Sequence, residues 1–117
     1  MDLRTTFGRR GEELAAEHYR ALGFTVLDRN YRCRDGEIDL VVRRDHLIVF
    51  CEVKTRRTSR WGEPSEAVGW RKQQRLRRLA ACWLADRRPD HREVRFDVMS
   101  VVVAKDDPEV TLIPDAF

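Results

Sequence analysis

The amino-acid sequence predicts one α/β domain spanning residues 1–117, a mixed β-sheet flanked by helices in the order α-β-β-β-α-β-β. Three observations carry this expectation. The 117 residues, 42% of them apolar, suit a single core of ordinary size. Two segments place apolar residues at helical spacing, and the segments between and after them show short β-branched or alternating runs. No repeat, low-complexity stretch or linker interrupts the series, so the strands and helices belong to one layered unit.

Residues 8–22 read as the first helix, with Leu14, Ala15, Tyr19 and Leu22 near one face and Gly23 as its stop signal. Residues 24–27 form a short strand. Residues 28–35 are polar apart from the aromatic Tyr31 and read as a loop or an edge. Residues 36–43 and 47–54 are two strands joined tightly through Arg44, Asp45 and His46, which argues for an antiparallel hairpin. Residues 55–64 form a basic loop containing Trp61 and Gly62, after which Ser65 can cap a short helical turn that stalls at Gly69. A longer helix covers residues 70–86, with Leu76, Leu79, Ala80, Trp83 and Leu84 forming its apolar stripe and Arg71, Arg75 and Arg78 on another face. Pro89 ends that region. Residues 94–104 are a strand, Asp106, Asp107 and Pro108 a turn, and residues 110–113 the last strand.

Charge is distributed unevenly. The net charge is only +3, and just three of the 23 basic residues are lysines: Lys54, Lys72 and Lys105. Genomic base composition explains that skew as well as phosphate binding by guanidinium forks does. From Lys54 to Arg78 nine basic residues face two acids, Glu63 and Glu66, so this segment carries +7 and the remainder −4. Such asymmetry fits a polyanionic partner, and it also fits a solvated helix face. Cys33, Cys51 and Cys82 are odd in number and widely spaced, and His18, His46 and His91 are scattered, which argues against a zinc site or a disulfide framework. The charged N-terminus and the lack of any apolar run near the roughly 18 residues of a membrane span lead to the expectation of a cytoplasmic protein with no membrane partner.

The hairpin carries the candidate chemistry. Alternation places Ile38, Leu40, Val42, Val49, Cys51 and Val53 on one wholly apolar face, and Glu37, Asp39, Val41, Phe50, Glu52 and Lys54 on the other. A two-residue loop at Asp45 and His46 pairs Arg44 with Leu47, and counting back sets Asp39 opposite Glu52. A four-residue loop gives the same register, whereas a three-residue loop shifts it by one. Opposed carboxylates repel, and a divalent cation between them removes the repulsion. Oxygen ligands select Mg²⁺ or Mn²⁺. Lys54, two residues past Glu52, can then hold a water or a phosphate oxygen. The competing reading of Glu37, Asp39, Glu52 and Lys54 is a surface salt-bridge patch.

The runs G-E-I-D-L (residues 36–40) and F-C-E-V-K-T-R (residues 50–56) resemble the YraN family of small bacterial endonuclease-like proteins. The likeness extends through G-R-R-G-E-E-L-A-A (8–16), R-N-Y-R-C-R (29–34), P-S-E-A-V (64–68), Lys72, R-F-D-V (95–98) and the terminal Ala116-Phe117. It implies a restriction-endonuclease-like fold with a PD-(D/E)XK site, akin to archaeal Holliday-junction resolvases. By position Asp39 is the D, Glu52 the (D/E), Lys54 the K, and Glu12 the helix glutamate beside the metal, with Glu13 as the neighbour that could be confused with it. Ile38 stands where the class name has proline, and Cys51 where a small aliphatic residue is expected.

The resemblance implies metal-dependent hydrolysis of phosphodiester bonds in branched or structured DNA. Asp39, Glu52, the Val53 backbone carbonyl and Glu12 are then the metal-binding groups, and Lys54 completes the catalytic set. Glu37 is expected outside the ligand set, paired with an arginine. Arg56, Arg57, Arg71, Lys72 and Arg75 are the expected nucleic-acid contacts. Trp61 either stacks on a base or packs in its loop. Asp97 is expected to pair with Arg95, and Tyr19 and Trp83 to lie in the core. A homodimer would match a junction that is cut twice. The rival expectation is a non-catalytic nucleic-acid-binding module of the same fold, acting in a DNA-processing complex.

Overall fold

The structure is a computed structural model that describes residues 3–57, 69–103 and 107–117, with residues 3–7 described by backbone alone. The elements run α1 (Leu3–Ala21), β1 (Thr25–Cys33), β2 (Gly36–Arg44), β3 (Leu47–Arg56), α2 (Trp70–Arg87), β4 (Glu93–Val102) and β5 (Glu109–Ile113), in the expected order. The expectations for Trp61, Gly62, Ser65, the P-S-E-A-V run and Asp106 of the 106–108 turn fall outside the described residues.

Five strands lie in sequence order in one sheet, antiparallel except where β3 pairs with β4 in parallel. A parallel neighbour requires a crossover, and α2 lies in that connection. The sheet is covered on both faces. Leu14, Ala15, Ala16 and Tyr19 of α1 pack with Leu40, Val42, Val49, Cys51, Met99 and Val101. Leu76, Leu79, Ala80 and Trp83 of α2 pack with Ile38, Val41, Ile48, Phe50 and Val98. Each large side chain so buried stabilises the fold by about 1.5–3 kcal/mol, which is why the central strands are almost wholly apolar. The buried carboxylate of Asp97 is fully satisfied. Arg95 grips it through two bonds of 2.8 and 2.9 Å, the Tyr19 hydroxyl donates at 2.7 Å and the Asp115 amide at 3.0 Å.

Two expectations are corrected. The first strand is not four residues but nine, because the polar segment after Leu27 is an edge whose hydrogen bonds run to β2 alone, so charged residues such as Arg32 can point outward. The face assignment of β2 also changes. Paired Arg29 and Leu40 face α1, where Arg29 bonds Glu13 and Leu40 joins the α1 core. Paired Tyr31 and Ile38, two residues further along each strand, pack on the α2 side instead. Strict alternation would keep both pairs on one face. The step between them, at Asn30 and Asp39, takes up the extra rotation, and Asn30 adopts the left-handed region with φ 51°. Asparagine tolerates that conformation better than most residues.

A candidate metal centre at the β2–β3 opening

The hairpin loop is the two-residue type, with Arg44 opposite Leu47, and its register holds as far as Leu40 opposite Cys51. Continued pairing would set Asp39 against Glu52 and aim the Val53 N–H at the Ile38 carbonyl. The ladder stops instead, and the Val53 N–H donates to Asp39 Oδ2 at 2.8 Å. The side chain of Asp39 thus replaces a backbone acceptor, which pins its carboxylate in the mouth between the two strands.

Three carboxylates converge there: oxygens of Glu12, Glu37 and Asp39 all lie within 4.8 Å of one another. Glu12 reaches the cluster because α1 approaches β3 closely at Gly11. A Cβ built on Gly11 would fall 1.9 Å from the Thr55 hydroxyl oxygen, so only glycine permits that approach. With its amide nitrogen turned toward the acids, Asn30 donates to Glu37 Oε1 at 2.7 Å and to Glu12 Oε2 at 3.0 Å. Arg32 donates to the other oxygen of Glu37 at 3.0 Å. Glu37 therefore has the arginine partner expected of it and also belongs to the cluster.

Glu52 faces the other way. It follows Cys51, which points to α1, so it projects toward α2, and its Oε1 is held by Lys72 at 2.8 Å and Lys54 at 3.3 Å. The site is polarised: three carboxylates gather on the α1 side, two ammonium groups on the α2 side, and Glu52 stands between them. Arg71 and Arg75 are exposed on α2, while Arg56 and Arg57 follow Lys54 at the end of β3. Lys72 is turned inward onto Glu52 rather than outward with them.

Crowding of like charge shows in the acid–base behaviour. Burial, reinforced by the Glu52 charge, pushes Asp39 up to about 7, although the Val53 N–H pulls it down, and Glu12 and Glu37 add to the rise. Burial also raises Glu12, opposed by the Asn30 hydrogen bond and supported by the Glu37 charge. Lys54 is lowered by burial and by its neighbour Lys72. For Lys72 burial acts downward, but its bonds to Glu52 and Lys54 prevail and hold it above its ordinary value. Asp39 and Glu12, two raised carboxyls beside a third acid, offer the hard oxygen donors that a divalent cation such as Mg²⁺ or Mn²⁺ fits.

Sequence reasoning missed Asn30 and the membership of Glu37. A lone asparagine in an arginine-rich strand gives little signal, and Glu37 was set outside the ligand set because an arginine partner was expected for it. A surface concavity lies at the turn end of the hairpin beside Arg44, His46 and Arg92, remote from Glu52 along β3. No helix among the described residues is long and apolar enough to cross a membrane.

The family model described as "Uncharacterised protein family UPF0102" matches residues 11–101. A UPF0102 protein of Frankia casuarinae is 52% identical, with 86% of each chain covered. A UPF0102 protein of Acidothermus cellulolyticus is 47% identical over 97% of this chain and 95% of its own. Another, from Syntrophus aciditrophicus, is 42% identical over the whole of this chain and 91% of its own.

Proposed function

The chain belongs to the uncharacterised protein family UPF0102, the YraN family, and from that premise we propose that it is a metal-dependent nuclease hydrolysing phosphodiester bonds in branched or structured DNA. The observation that carries this reading is the polarised opening between β2 and β3. Carboxylates of Glu12, Glu37 and Asp39 converge within 4.8 Å on one side, and Lys54 and Lys72 flank Glu52 on the other. A surface salt-bridge patch would pair every acid with a base, as Arg32 does for Glu37 and the two lysines do for Glu52, but Glu12 and Asp39 face other acids. The three carboxylates still converge within 4.8 Å, at a cost in stability that a bound cation would offset.

Asp39, Glu12 and Glu52, with the Val53 carbonyl, would hold Mg²⁺ or Mn²⁺, and Glu37 stands near enough to join them. When bound, the ion supplies Lewis acidity toward a phosphate oxygen. The Val53 N–H fixes the Asp39 carboxylate, and Gly11 keeps Glu12 close to it. Lys54, on the strand that carries Glu52, stabilises negative charge that grows on the phosphate in the transition state. Arg71 and Arg75 on α2, with Arg56 and Arg57 beyond Lys54, bind the flanking backbone phosphates. Two copies in a homodimer would act on the two strands of a junction.

The test is a cleavage screen over branched and linear DNA and RNA with Mn²⁺, run with wild type, Asp39→Asn and Lys54→Ala. Cleavage of branched DNA by wild type, lost in Asp39→Asn and reduced about a hundredfold or more in Lys54→Ala, is expected. Equal cleavage by all three proteins refutes the site. Tight binding without cleavage by wild type on every substrate would instead favour a nucleic-acid-binding module of nuclease fold.

A further inference from the structure

Glu52 has an unusual environment for a residue expected to ligate a cation. A single carboxylate oxygen accepts from two ammonium groups, Lys72 at 2.8 Å and Lys54 at 3.3 Å, and the side chain retains only 12% of its exposure. Lys54 reaches it along the same strand. Lys72 comes from a different element, the first turn of α2, whose N-cap residue Gly69 offers no side-chain bond to the free amides of that turn. Arg71 and Arg75 are exposed on the same turns, so this end of α2 holds more positive charge than Glu52 alone neutralises. The surplus suits a phosphate group.

We propose that Lys72 has two alternative partners, Glu52 in the free protein and a backbone phosphate in the complex, so that nucleic-acid binding releases Glu52 to the cation held by Asp39 and Glu12. This rests on the nuclease reading and adds a coupling to it. A cation and an ammonium cannot both lie close to one carboxylate without repelling each other, so Lys72 competes with the metal for Glu52. A phosphate that engages Lys72 removes the competitor. Coupling of this kind is reciprocal: whatever factor the phosphate adds to metal affinity, the metal adds to phosphate affinity. The protein would then assemble its full ligand set only where a phosphodiester already lies across the site. Lys72 is in this sense a positioning residue that acts through Glu52.

The experiment measures Mn²⁺ affinity of the free protein by titration calorimetry for wild type, Lys72→Met and Arg71→Ala. Both variants lose one positive charge, but only the first loses the contact with Glu52. Lys72→Met should bind Mn²⁺ about tenfold more tightly than wild type, whereas Arg71→Ala should change little. A merely structural lysine would give an unchanged or weaker site when removed. Lys72→Ala serves as the second variant if the methionine chain disturbs the fold, as judged by circular dichroism. In a second arm, a labelled branched oligonucleotide is titrated with and without Mn²⁺, using Asp39→Asn to correct for screening of phosphates by the ion. Mn²⁺ should tighten binding to wild type by a larger factor than binding to Lys72→Met, which keeps only the direct contact between ion and phosphate. Equal Mn²⁺ affinity in wild type and Lys72→Met overturns the proposal while the nuclease reading stands. No Mn²⁺ binding by any of the proteins, with or without oligonucleotide, overturns both.

Discussion

Asp39→Asn should stabilise the metal-free protein at alkaline pH, although it removes a residue central to the site. The Asp39 carboxyl is pushed up to about 7 by burial and by Glu52, from an ordinary value of 3.8. Its folded state thus holds a proton more tightly than its unfolded state does. Stability from this group is fully present below about pH 4 and is lost as pH rises through about 7. A rise of roughly three units corresponds to about 4 kcal/mol between those limits. Asparagine carries no charge, and its side-chain oxygen can still accept the Val53 N–H. The variant should therefore lack this loss. The assay is urea denaturation in EDTA at about pH 5 and about pH 8.5 for both proteins. Relative to wild type, Asp39→Asn should gain about 2.7 kcal/mol on going from the lower to the higher pH, the part of the effect that falls between pH 5 and the folded-state value. Glu12, raised chiefly by burial and further by the Glu37 charge, titrates alongside and broadens the window. A difference between the two proteins that is independent of pH would refute the claim that Asp39 ionises against neighbouring acids.

Millimolar Mn²⁺ should raise the melting temperature of wild type, by the equivalent of about 2.7 kcal/mol at a hundredfold excess over Kd, and should leave Asp39→Asn almost unmoved. Nucleic-acid binding, measured by fluorescence anisotropy, should weaken steeply with salt, and replacing Arg71 and Arg75 together by alanine should flatten that slope; an unchanged slope would mean that this helix face is merely solvated. Gly11→Ala should cost about 1–3 kcal/mol in a denaturant titration, because its methyl group meets Thr55 in the α1–β3 contact, and Thr55→Ala should recover part of that loss. Arg95→Ala should cost about 3–5 kcal/mol, since it strips the charge partner from the buried Asp97, and a loss under 1 kcal/mol would show that Tyr19 and the Asp115 amide suffice.

How much of this was legible beforehand follows from the range of each interaction. The stripe Leu76, Leu79, Ala80 and Trp83 specified α2 and its buried face, because helical periodicity is a local property. The hairpin was equally local, although its register was open between loop lengths until Arg44 was seen opposite Leu47. The pairing of Asp97 with Arg95 followed from strand spacing and burial. Asp39, Glu52, Lys54 and Glu12 could be nominated from their motif positions, and the acidic and basic halves of the opening were both present in the composition of neighbouring segments. What the chain could not announce was direction. At Asn30 and Asp39 two paired strands rotate together, so alternation fails on both and Glu37 and Asp39 turn toward Glu12 while Ile38 turns to α2. That rotation depends on α1 packing against β3 through Gly11, on the Val53 N–H finding a side-chain acceptor, and on α2 delivering Lys72 to Glu52. Each of these contacts joins residues more than ten positions apart, so only tertiary packing, and no local periodicity, decides which acids converge and which one the lysines hold.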